Sequence, residues 1–390
     1  MHQISIRQLH GAEKLKISRP LMAYAFRASP PLPTPEEWEK DPYFEHATLL
    51  ALFEDETALA CAAYTPMPQN VRGKLYNNGA VWGVATHPAA RRRGYARQVL
   101  LRLFATMRGA GIVFSTLYPF RESFYDRLGY TTFPRPRTAY IRASAFLPLL
   151  HKELPGRVSL TTIGEGYSAH RAYLRRQQSS IHGMALFPGQ PTESSKSDES
   201  LWLATALVEN EPRGMMLYKI KGNGDNMEVP NFLYDDSCGK YLLLAWFARH
   251  VDQVAEIELQ LLPGEQPETW IPDLSFSVSL GEAPMSRIID VAAVGGMNCG
   301  PGMFSAHVSD AQCPWNEGRY LFTEVEGRLH VSSSETAQCT LTIQGLTALL
   351  YGTHDPESFA VRGWGNPTPA LQETMRSMFP PLSPYLYEKF

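Results

Sequence analysis

The segment Arg91–Ala96 combines positive charge, a glycine and a small residue in the order of an anion-binding loop. It follows an apolar run that ends at Thr86, a proline interrupts the chain at position 88, and a helical pattern begins after Gly94. A strand that stops and resumes as a helix leaves the first N–H groups of the helix without partners, and the helix dipole adds positive potential there. Gly94 can adopt backbone angles closed to other residues. These residues predict a pyrophosphate site.

The distribution of charge along the chain favours the same site. No Asp or Glu lies between Glu56 and Glu122. The basic residues of that interval are Arg72, Lys74, Arg91, Arg92, Arg93, Arg97, Arg102, Arg108 and Arg121. An acidic block lies ahead of it and consists of Glu36, Glu37, Glu39, Asp41, Glu45, Glu54, Asp55 and Glu56. This segregation suits an enzyme with an anionic cofactor and a cationic acceptor, and it argues against a general nucleic-acid binder. Glu36 and Glu37 have a simpler interpretation, because Thr34–Glu37 has the pattern of a capping box with proline at the first helical position.

The loop does not match the common nucleotide-binding fingerprints. It lacks the G-x-G-x-x-G of dinucleotide sites and the Gly-Lys-Ser/Thr ending of a P-loop. It matches the pattern Arg/Gln-x-x-Gly-x-Gly/Ala at Arg91, Gly94 and Ala96, and at this point the sequence resembles the GNAT acyltransferases. In that family the corresponding loop holds the pyrophosphate of acetyl-CoA. A solvated basic helix start is the alternative, and the strand before the loop and the helix after it favour the cofactor site.

A second candidate patch follows the next predicted strand. Gly109–Gly111 predicts the end of the helix, and Ile112–Tyr118 has the composition of a buried parallel strand. Glu122–Tyr130 predicts a short helix closed by a glycine. The phrase Phe124–Tyr130 resembles the F-Y-x-x-x-G-Y/F end of the GNAT core, where the tyrosine at the position of Tyr125 lies near the sulfur of CoA. Taken alone, that tyrosine would be a half-buried core residue.

Size and composition describe a multidomain globular protein. With 390 residues, 44% of them hydrophobic and 19% charged, the chain is long enough for two or three domains. The five cysteines are scattered without C-x-x-C spacing, which predicts a reducing compartment and neither a disulfide framework nor a metal site. The longest apolar run, near residues 241–248, is too short to span a bilayer. We therefore expect a cytoplasmic protein with no membrane or nucleic-acid partner.

The order of predicted elements divides the chain into three parts. Residues 1–150 hold the acyltransferase pattern, with a hairpin of Leu49–Phe53 and Thr57–Tyr64 ahead of the loop. Residues 151–284 repeat that order with strands at 201–209, 214–221, 227–234 and 256–262, a helix at 241–254, and a loop at 189–200. The position equivalent to the anion loop reads Asp235–Lys240. Its two carboxylates would repel a pyrophosphate, so the second domain is predicted to be a degenerate copy without cofactor.

The third part, residues 285–390, resembles a sterol carrier protein-like domain. It has predicted strands at 327–332 and 337–343, a helix at 344–351 and a last helix at 369–378, and a buried scaffold is its expected use. The predicted fold class is α/β (α+β), with tandem GNAT folds of mixed sheets and a C-terminal sterol carrier protein-like α/β domain. This order resembles the Eis (enhanced intracellular survival) family of N-acetyltransferases over essentially the whole chain. Arg287–Asp290 carries that resemblance in the third part.

The resemblance to the Eis family implies acetyl-CoA as co-substrate, no metal, and attack of an amine on the thioester in a ternary complex. It implies that Tyr125 is the general acid, that the α-carboxylate of Phe390 is the general base, and that the chain forms a hexamer. An ordinary disordered terminus is the alternative for Phe390. The implied cofactor contacts are Val84, Ala85, Thr86, Arg92, Arg93, Gly94, Tyr95, Ala96, Arg97, Phe120 and Arg121.

The acceptor is expected to be a primary amine of a polycation. An aminoglycoside-like polyamine, a small polyamine and a protein lysine all suit the acidic N-terminal segment. Two other functions stay open, namely transfer of a longer acyl group and a non-catalytic CoA- or lipid-binding scaffold. His87, at the strand end, is expected to be a turn residue and not a base.

Overall fold

The computed structural model describes residues 3–27, 29–30, 44, 46–188, 201–221 and 226–390. The capping box at 34–37, the acidic residues from 36 to 45 and the loop at 189–200 lie outside the described residues. The strands are β1 Ile4–Leu9, β2 Thr48–Glu54, β3 Thr57–Val71, β4 Lys74–Thr86, β5 Phe114–Leu117, β6 Thr131–Thr132, β7 Arg137–Arg142, β8 Arg157–Thr162, β9 Trp202–Val208, β10 Glu211–Lys221, β11 Asn226–Tyr234, β12 Glu256–Leu261, β13 Phe276–Leu280, β14 Met285–Ile288, β15 Met303–Ser309, β16 Gly318–Val325, β17 Arg328–Ser333 and β18 Cys339–Thr342. The α-helices are α1 Ala12–Arg27, α2 Tyr95–Gly109, α3 Glu122–Asp126, α4 Ile163–Ser180, α5 Ser237–Ala248, α6 Ile343–Tyr351, α7 Phe359–Arg362 and α8 Pro369–Met378.

The chain forms two compact units, each built from separate segments. The first comprises Met1–Pro134, His182–Gln190 and Ala283–Phe390, and the second comprises Arg135–Ile181 and Pro191–Glu282. Strand β7, which the sequence assigned to the first 150 residues, pairs in the sheet of the second unit, and β14 pairs in the first sheet of the first unit. The division into three domains at 150 and 284 stays a prediction.

The sheet of the first unit that carries the anion loop has the order β1-β2-β3-β4-β5-β14-β6. Strands β1 to β4 are antiparallel, and the predicted hairpin is confirmed as β2 and β3. Strand β5 is parallel to β4, because α2 carries the chain across between them. Their pairing ends at Val81 and Leu117, and β4 continues beyond this pair to Thr86.

Beyond the last β4–β5 pair, a bulge bends β4. The register shifts opposite Cys61–Ala63, and Gly83 has a φ of 63°, in the left-handed region that favours glycine. Met22 of α1 packs directly on Gly83, since a Cβ at that position would lie 2.3 Å from the Met22 methyl group. The bulge and this contact position the end of β4 away from β5.

Helix α2 packs one apolar face on this sheet. Val99, Leu100, Leu103, Phe104 and Met107 are fully buried, at the spacing that brings i, i+3 and i+4 positions to one side. Full burial of a side chain of this size stabilises the fold by about 1.5–3 kcal/mol, so this face fixes the helix and its N-terminus firmly. The predicted glycine end is confirmed by the helix bounds, which stop at Gly109.

The second unit repeats the strand order of the first. Its sheet runs β13-β7-β12-β11-β10-β9-β8, with β8 to β11 antiparallel, α5 as the crossover and β12 parallel to β11. The four strands predicted from 201 to 262 are confirmed. The helix was predicted at 241–254 but spans Ser237–Ala248, because Asp236 caps it and starts it earlier. The predicted mixed α/β fold class with a repeated GNAT-like order is confirmed.

A four-stranded sheet, β17-β16-β15-β18, forms the C-terminal part of the first unit. The predicted strands at 327–332 and 337–343 and both predicted helices are confirmed, whereas β15 and β16 were not predicted. Helices α6 and α8 pack on this sheet around Phe304, Phe322, Leu341, Leu346 and Met375, all of which are buried. None of the helices that the structure describes is long and apolar enough to cross a membrane.

One buried arginine joins this C-terminal part to the seven-stranded sheet of the first unit. The Arg287 side chain, on β14, is fully buried and donates to Asp310 Oδ2 at 2.6 Å and to the carbonyl of Leu128, just beyond α3. Its guanidinium carbon lies 4.6 Å from the centre of the Phe104 ring of α2. The C-terminal segment therefore supplies strand β14 to this sheet, and through Arg287 it supplies a hydrogen bond to the chain just after α3, which carries Tyr125.

Candidate active site

The N-terminus of α2 is open and uncapped. Gly94, the N-cap, has φ 78° and ψ 11°, and no side chain caps the helix. The first helical bond is from Gln98 N to Gly94 O at 3.1 Å, and the N–H groups of residues 92–97 have no acceptor among the described residues. A Cβ at Gly94 would contact nothing within 4 Å. This arrangement presents unpaired donors to solvent at the positive end of the helix dipole.

A cavity of about 340 Å³ lies over this helix start, which we call the anion pocket. It is bounded by the strand end, the loop, the helix start and α3. The lining residues are Thr86, Ala90, Arg91, Arg92, Gly94, Tyr95, Ala96, Arg97, Phe124, Arg127 and Leu128. Four of these side chains are cationic, and no described residue of the lining is anionic, so the pocket suits a diphosphate.

The arginines of the pocket differ in their partners. Arg92 has a left-handed φ of 63° and forms no ion pair with a described residue. Arg97 donates to Gln312 at 2.7 Å. Arg93 turns away from the pocket and pairs with Glu54 at 2.5 Å, while Tyr95 donates to the same carboxylate at 3.1 Å. The side-chain hydrogen bond from Arg93 to Glu54 raises the pKa of the guanidinium.

A second cavity, of about 330 Å³, lies where β4 and β5 separate, and we call it the acceptor pocket. Its walls come from α1, the bulge of β4, the end of β5, α3 and the last residue. The lining residues are Met22, Phe26, Val81, Trp82, Gly83, Val84, Tyr118, Phe120, Tyr125 and Phe390. Strand β4 thus borders both pockets, with Val84 on one and Thr86 on the other.

Tyr125 of α3 lines the acceptor pocket and is almost completely buried. Its ring meets the rings of Phe120, Phe124 and Tyr130 edge-on at 5.0–5.8 Å. Burial, and secondarily the neighbouring Tyr130, raise the pKa of Tyr125, so it is protonated at neutral pH. Its hydroxyl has no hydrogen-bond partner among the described residues, and it is therefore available to donate to a ligand.

Phe390 lines the same cavity as Tyr125. Its ring is half-buried and lies edge-on to Tyr118 at 5.5 Å and to Phe187 at 5.9 Å. Ala185 and Leu386 belong to the same apolar cluster. These contacts hold residue 390 in the pocket wall.

Two family models match the chain on either side of its middle region. One, described as an acetyltransferase (GNAT) domain, matches residues 5–133, and the other, a sterol carrier protein domain, matches residues 301–387. The chain carries a GNAT acetyltransferase domain and a sterol carrier protein domain. The GNAT domain contains the anion pocket, and residue 390, beyond the matched part of the sterol carrier protein domain, contributes to the acceptor pocket.

Solved structures of the same architecture match along the full length. A probable N-acyltransferase from Enterococcus faecalis V583 is 20% identical with a TM-score of 0.87, and a GCN5-related N-acetyltransferase from Anabaena variabilis is 15% identical with a TM-score of 0.85. Eis1 from Mycobacterium abscessus is 17% identical with a TM-score of 0.81, and in all three cases 100% of both chains is covered. The resemblance to Eis is thus confirmed in domain content and fold. A comparison with curated protein sequences finds no match.

Most of the predicted contacts of the GNAT domain line one of the two pockets. Those in the anion pocket are Thr86, Arg92, Gly94, Tyr95, Ala96 and Arg97. Val84 and Phe120 line the acceptor pocket together with Tyr125 and Phe390. The structure does not bring the others there, since Arg93 pairs with Glu54, Ala85 is buried opposite Cys61, and Arg121 occupies the N-cap position of α3 and lines neither cavity.

Sequence reasoning missed several residues of the site. Arg127 lies two residues beyond Tyr125 in the GNAT phrase, and its positive charge is the sequence feature that could have indicated a contact with an anion. Glu54 was grouped with the acidic block, although its partner Arg93 lies 39 positions along the chain. Met22 and Phe26 reach the acceptor pocket from α1, and no local pattern marks them. His87 accepts from Ala89 N at 3.3 Å, as a turn residue does.

Proposed function

We propose that this protein transfers an acetyl group from acetyl-CoA to a primary amine bound beside Tyr125. The observation that carries the proposal is the arrangement along β4, where an uncapped, arginine-lined helix start and a cavity with Tyr125 border the same strand end. The family match to a GNAT acetyltransferase domain supports an acyl-CoA-dependent transferase in general. The amine acceptor and the roles of individual residues belong to this proposal.

The residues of the anion pocket fit a CoA diphosphate. The unpaired N–H groups of residues 92–97 would donate to phosphate oxygens, and Arg92, Arg97 and Arg127 would neutralise the charge. Acetyl-CoA would supply the acetyl group as a thioester. Free backbone groups of β4 beyond Val81 would pair with the pantetheine arm, since β5 no longer occupies them there.

Tyr125 would donate a hydrogen bond toward the departing sulfur. An unperturbed tyrosine titrates near ~10 and a thiol near ~8.5, so complete proton transfer is uphill by roughly 2 kcal/mol. Burial raises the pKa of Tyr125 and makes complete transfer less favourable still. We therefore assign Tyr125 chiefly a hydrogen-bonding role that stabilises the developing thiolate.

The backbone carboxylate of Phe390 would accept the proton of the attacking amine. A carboxylate near ~3.5 lies about seven units below a lysine-like amine, so burial must raise its pKa or its main effect is to attract and orient the cation. As the nitrogen–carbon bond forms, the carbon–sulfur bond breaks, the amine proton passes to the carboxylate, and the thiolate is stabilised by Tyr125. Amidation at Phe390, or its removal, tests this role, because unchanged turnover would eliminate it.

The predicted polycationic acceptor stays a prediction. It rested largely on the acidic residues from 36 to 45, which the structure does not describe. Aminoglycoside-like polyamines, small polyamines and protein lysines remain its candidates. The hexamer implied by the family resemblance also stays a prediction, and light scattering of the purified chain tests it.

The decisive experiment incubates the purified protein with acetyl-CoA and a mixture of amines, and follows free thiol and product masses. We expect acetylated amine together with released CoA, and little of either with the Tyr125→Phe variant. CoA binding by calorimetry without turnover on any amine would instead favour the non-catalytic scaffold. Faster turnover with a longer acyl-CoA would mean that the protein transfers that longer acyl group and not acetyl.

A further inference from the structure

We infer that the acceptor is a monoamine bearing one flat apolar substituent, such as an arylalkylamine. This inference rests on the proposed function and names the substrate class of the same site. It differs from the predicted polycationic acceptor, and it depends on the lining of the acceptor pocket and on the rings at its mouth.

Among the described residues that line the acceptor pocket, no side chain is charged. Polar side-chain atoms of the lining come from Trp82, Tyr118 and Tyr125. The Trp82 N–H donates to Thr65 at 3.0 Å, and the Tyr118 hydroxyl donates to the Glu388 carbonyl at 3.4 Å. These two groups therefore face partners of the protein itself. Among the described side chains of the lining, the Tyr125 hydroxyl is the donor that is left for the reacting centre.

A polycation fits this lining poorly. Each additional ammonium group that enters the pocket would lose its water without gaining a carboxylate, and unpaired buried charge is strongly unfavourable. A single amine avoids this cost because it must be neutral to attack the thioester. The lining therefore selects against acceptors with several charges near the reacting nitrogen.

Aromatic rings cover most of the remaining wall. Phe390 meets Tyr118 edge-on at 5.5 Å, and Phe120 meets Tyr125 edge-on at 5.5 Å. Such walls favour a planar apolar group, and their ring faces attract one cation before it loses its proton. The cavity volume of about 330 Å³ lies at the small end of ligand sites, which suits one ring on a short amine chain.

The mouth of the pocket is apolar as well. Phe26 is 59% exposed and Phe120 is 68% exposed, although both are large apolar side chains. Contiguous exposed apolar patches are typical of ligand-binding grooves and other interaction sites. Together with the lining they extend an apolar path from solvent to Tyr125.

The test measures kcat/KM for four acceptors with acetyl-CoA saturating: 2-phenylethylamine, n-butylamine, spermine and an aminoglycoside. We expect 2-phenylethylamine to exceed both polycations by roughly tenfold or more, and n-butylamine to fall between, since even one methylene group in an apolar pocket is worth about 10–200-fold. Higher or equal kcat/KM for either polycation would overturn the inference and leave the proposed function intact. Failure to acetylate any amine would overturn both.

A charge placed at the mouth provides the matched control. Phe26→Glu should lower kcat/KM for 2-phenylethylamine and raise it for spermine, whereas Phe26→Leu should change both little and in the same direction. The KM for acetyl-CoA reports whether the anion pocket is undisturbed in each variant. If Phe26→Glu leaves the ratio between the two amines unchanged, the pocket mouth does not select the acceptor and the inference is wrong.

Discussion

The two crossover helices α2 and α5 start in opposite ways, although each follows the same strand order. At α2 no side chain caps the helix, and a Cβ on Gly94 would meet nothing within 4 Å. At α5, Asp236 accepts from Gly239 N at 2.9 Å, and a Cβ on Gly239 would lie 2.0 Å from the Arg213 carbonyl. The same fold therefore leaves one N-terminus open to an anion and closes the other with a carboxylate and backbone.

The elements that follow the two crossover helices also differ, since those of the first unit border a cavity and those of the second are closed by side chains. In the first unit β5 leads to α3, whose Tyr125 faces a cavity. In the second unit β12 leads to a single 3-10 turn, Pro267–Thr269, followed by the buried Trp270, whose indole N–H donates to Glu265 at 2.9 Å. The two units share one fold, but among the described residues a candidate binding site is present only in the unit whose helix N–H groups and tyrosine hydroxyl are not paired with the protein's own groups.

The largest expected effect comes from copying the second helix start onto the first. Gly94→Asp places a carboxylate at the uncapped N-terminus, where the diphosphate is expected to bind. Two like unit charges about 4 Å apart repel by about 4 kcal/mol at an effective dielectric constant near 20, which corresponds to roughly 1,000-fold weaker binding of CoA. Isothermal titration calorimetry measures it. Gly94→Asn, which caps without charge and tolerates the left-handed backbone, should lose only about tenfold. Equal losses in both variants would assign the effect to capping and strain.

The second effect concerns the tyrosine that the second unit lacks. Tyr125→Phe removes one hydroxyl, so we expect kcat to fall about 100-fold, with KM for acetyl-CoA nearly unchanged. Burial raises the pKa of Tyr125, which keeps the hydroxyl protonated as pH rises through 9. The wild-type profile of kcat against pH should therefore show no loss in that range attributable to Tyr125. A variant with wild-type kcat would leave Tyr125 a packing residue.

How much of this contrast the sequence predicted depends on how local each feature is. The open helix start, Tyr125 and the carboxylates at 235–236 lie within short motifs, and the structure places them where the predicted elements require. The insertion of β14 beside β5 depends on pairing between residues 115 and 287, and four residues in isolation do not specify that register. The closure of α5 by the Arg213 carbonyl is likewise a contact between distant segments, which spacing alone cannot show.

A smaller effect follows from opening the second helix start. Asp236→Ala removes the cap and should lower the free energy of unfolding by about 1 kcal/mol, whereas Asp236→Ser keeps a capping oxygen and should lower it by less. Urea denaturation followed by circular dichroism measures both. Neither variant should gain CoA binding at this helix, even combined with Asp235→Asn, because the Arg213 carbonyl still occupies the approach to Gly239. Two CoA molecules bound per chain, measured by calorimetry, would instead show that the carboxylates alone had prevented binding at the start of α5.

The smallest expected effect separates two neighbouring arginines of the open helix start. Arg92 forms no ion pair with a described residue, whereas Arg93 pairs with Glu54 at 2.5 Å and lies 4.7 Å from the centre of the Tyr95 ring. Replacing Arg92 by Gln should weaken CoA binding by roughly 5–10-fold, and replacing Arg93 by Gln should change it less than about threefold, because its charge is already compensated. Glu54→Gln removes the carboxylate that competes with CoA for Arg93. The released Arg93 should then tighten CoA binding and should contribute more to it than Arg92. Calorimetry at low and high salt measures all three variants, and an equal loss for both arginines would mean that the Glu54 pair opens when CoA binds.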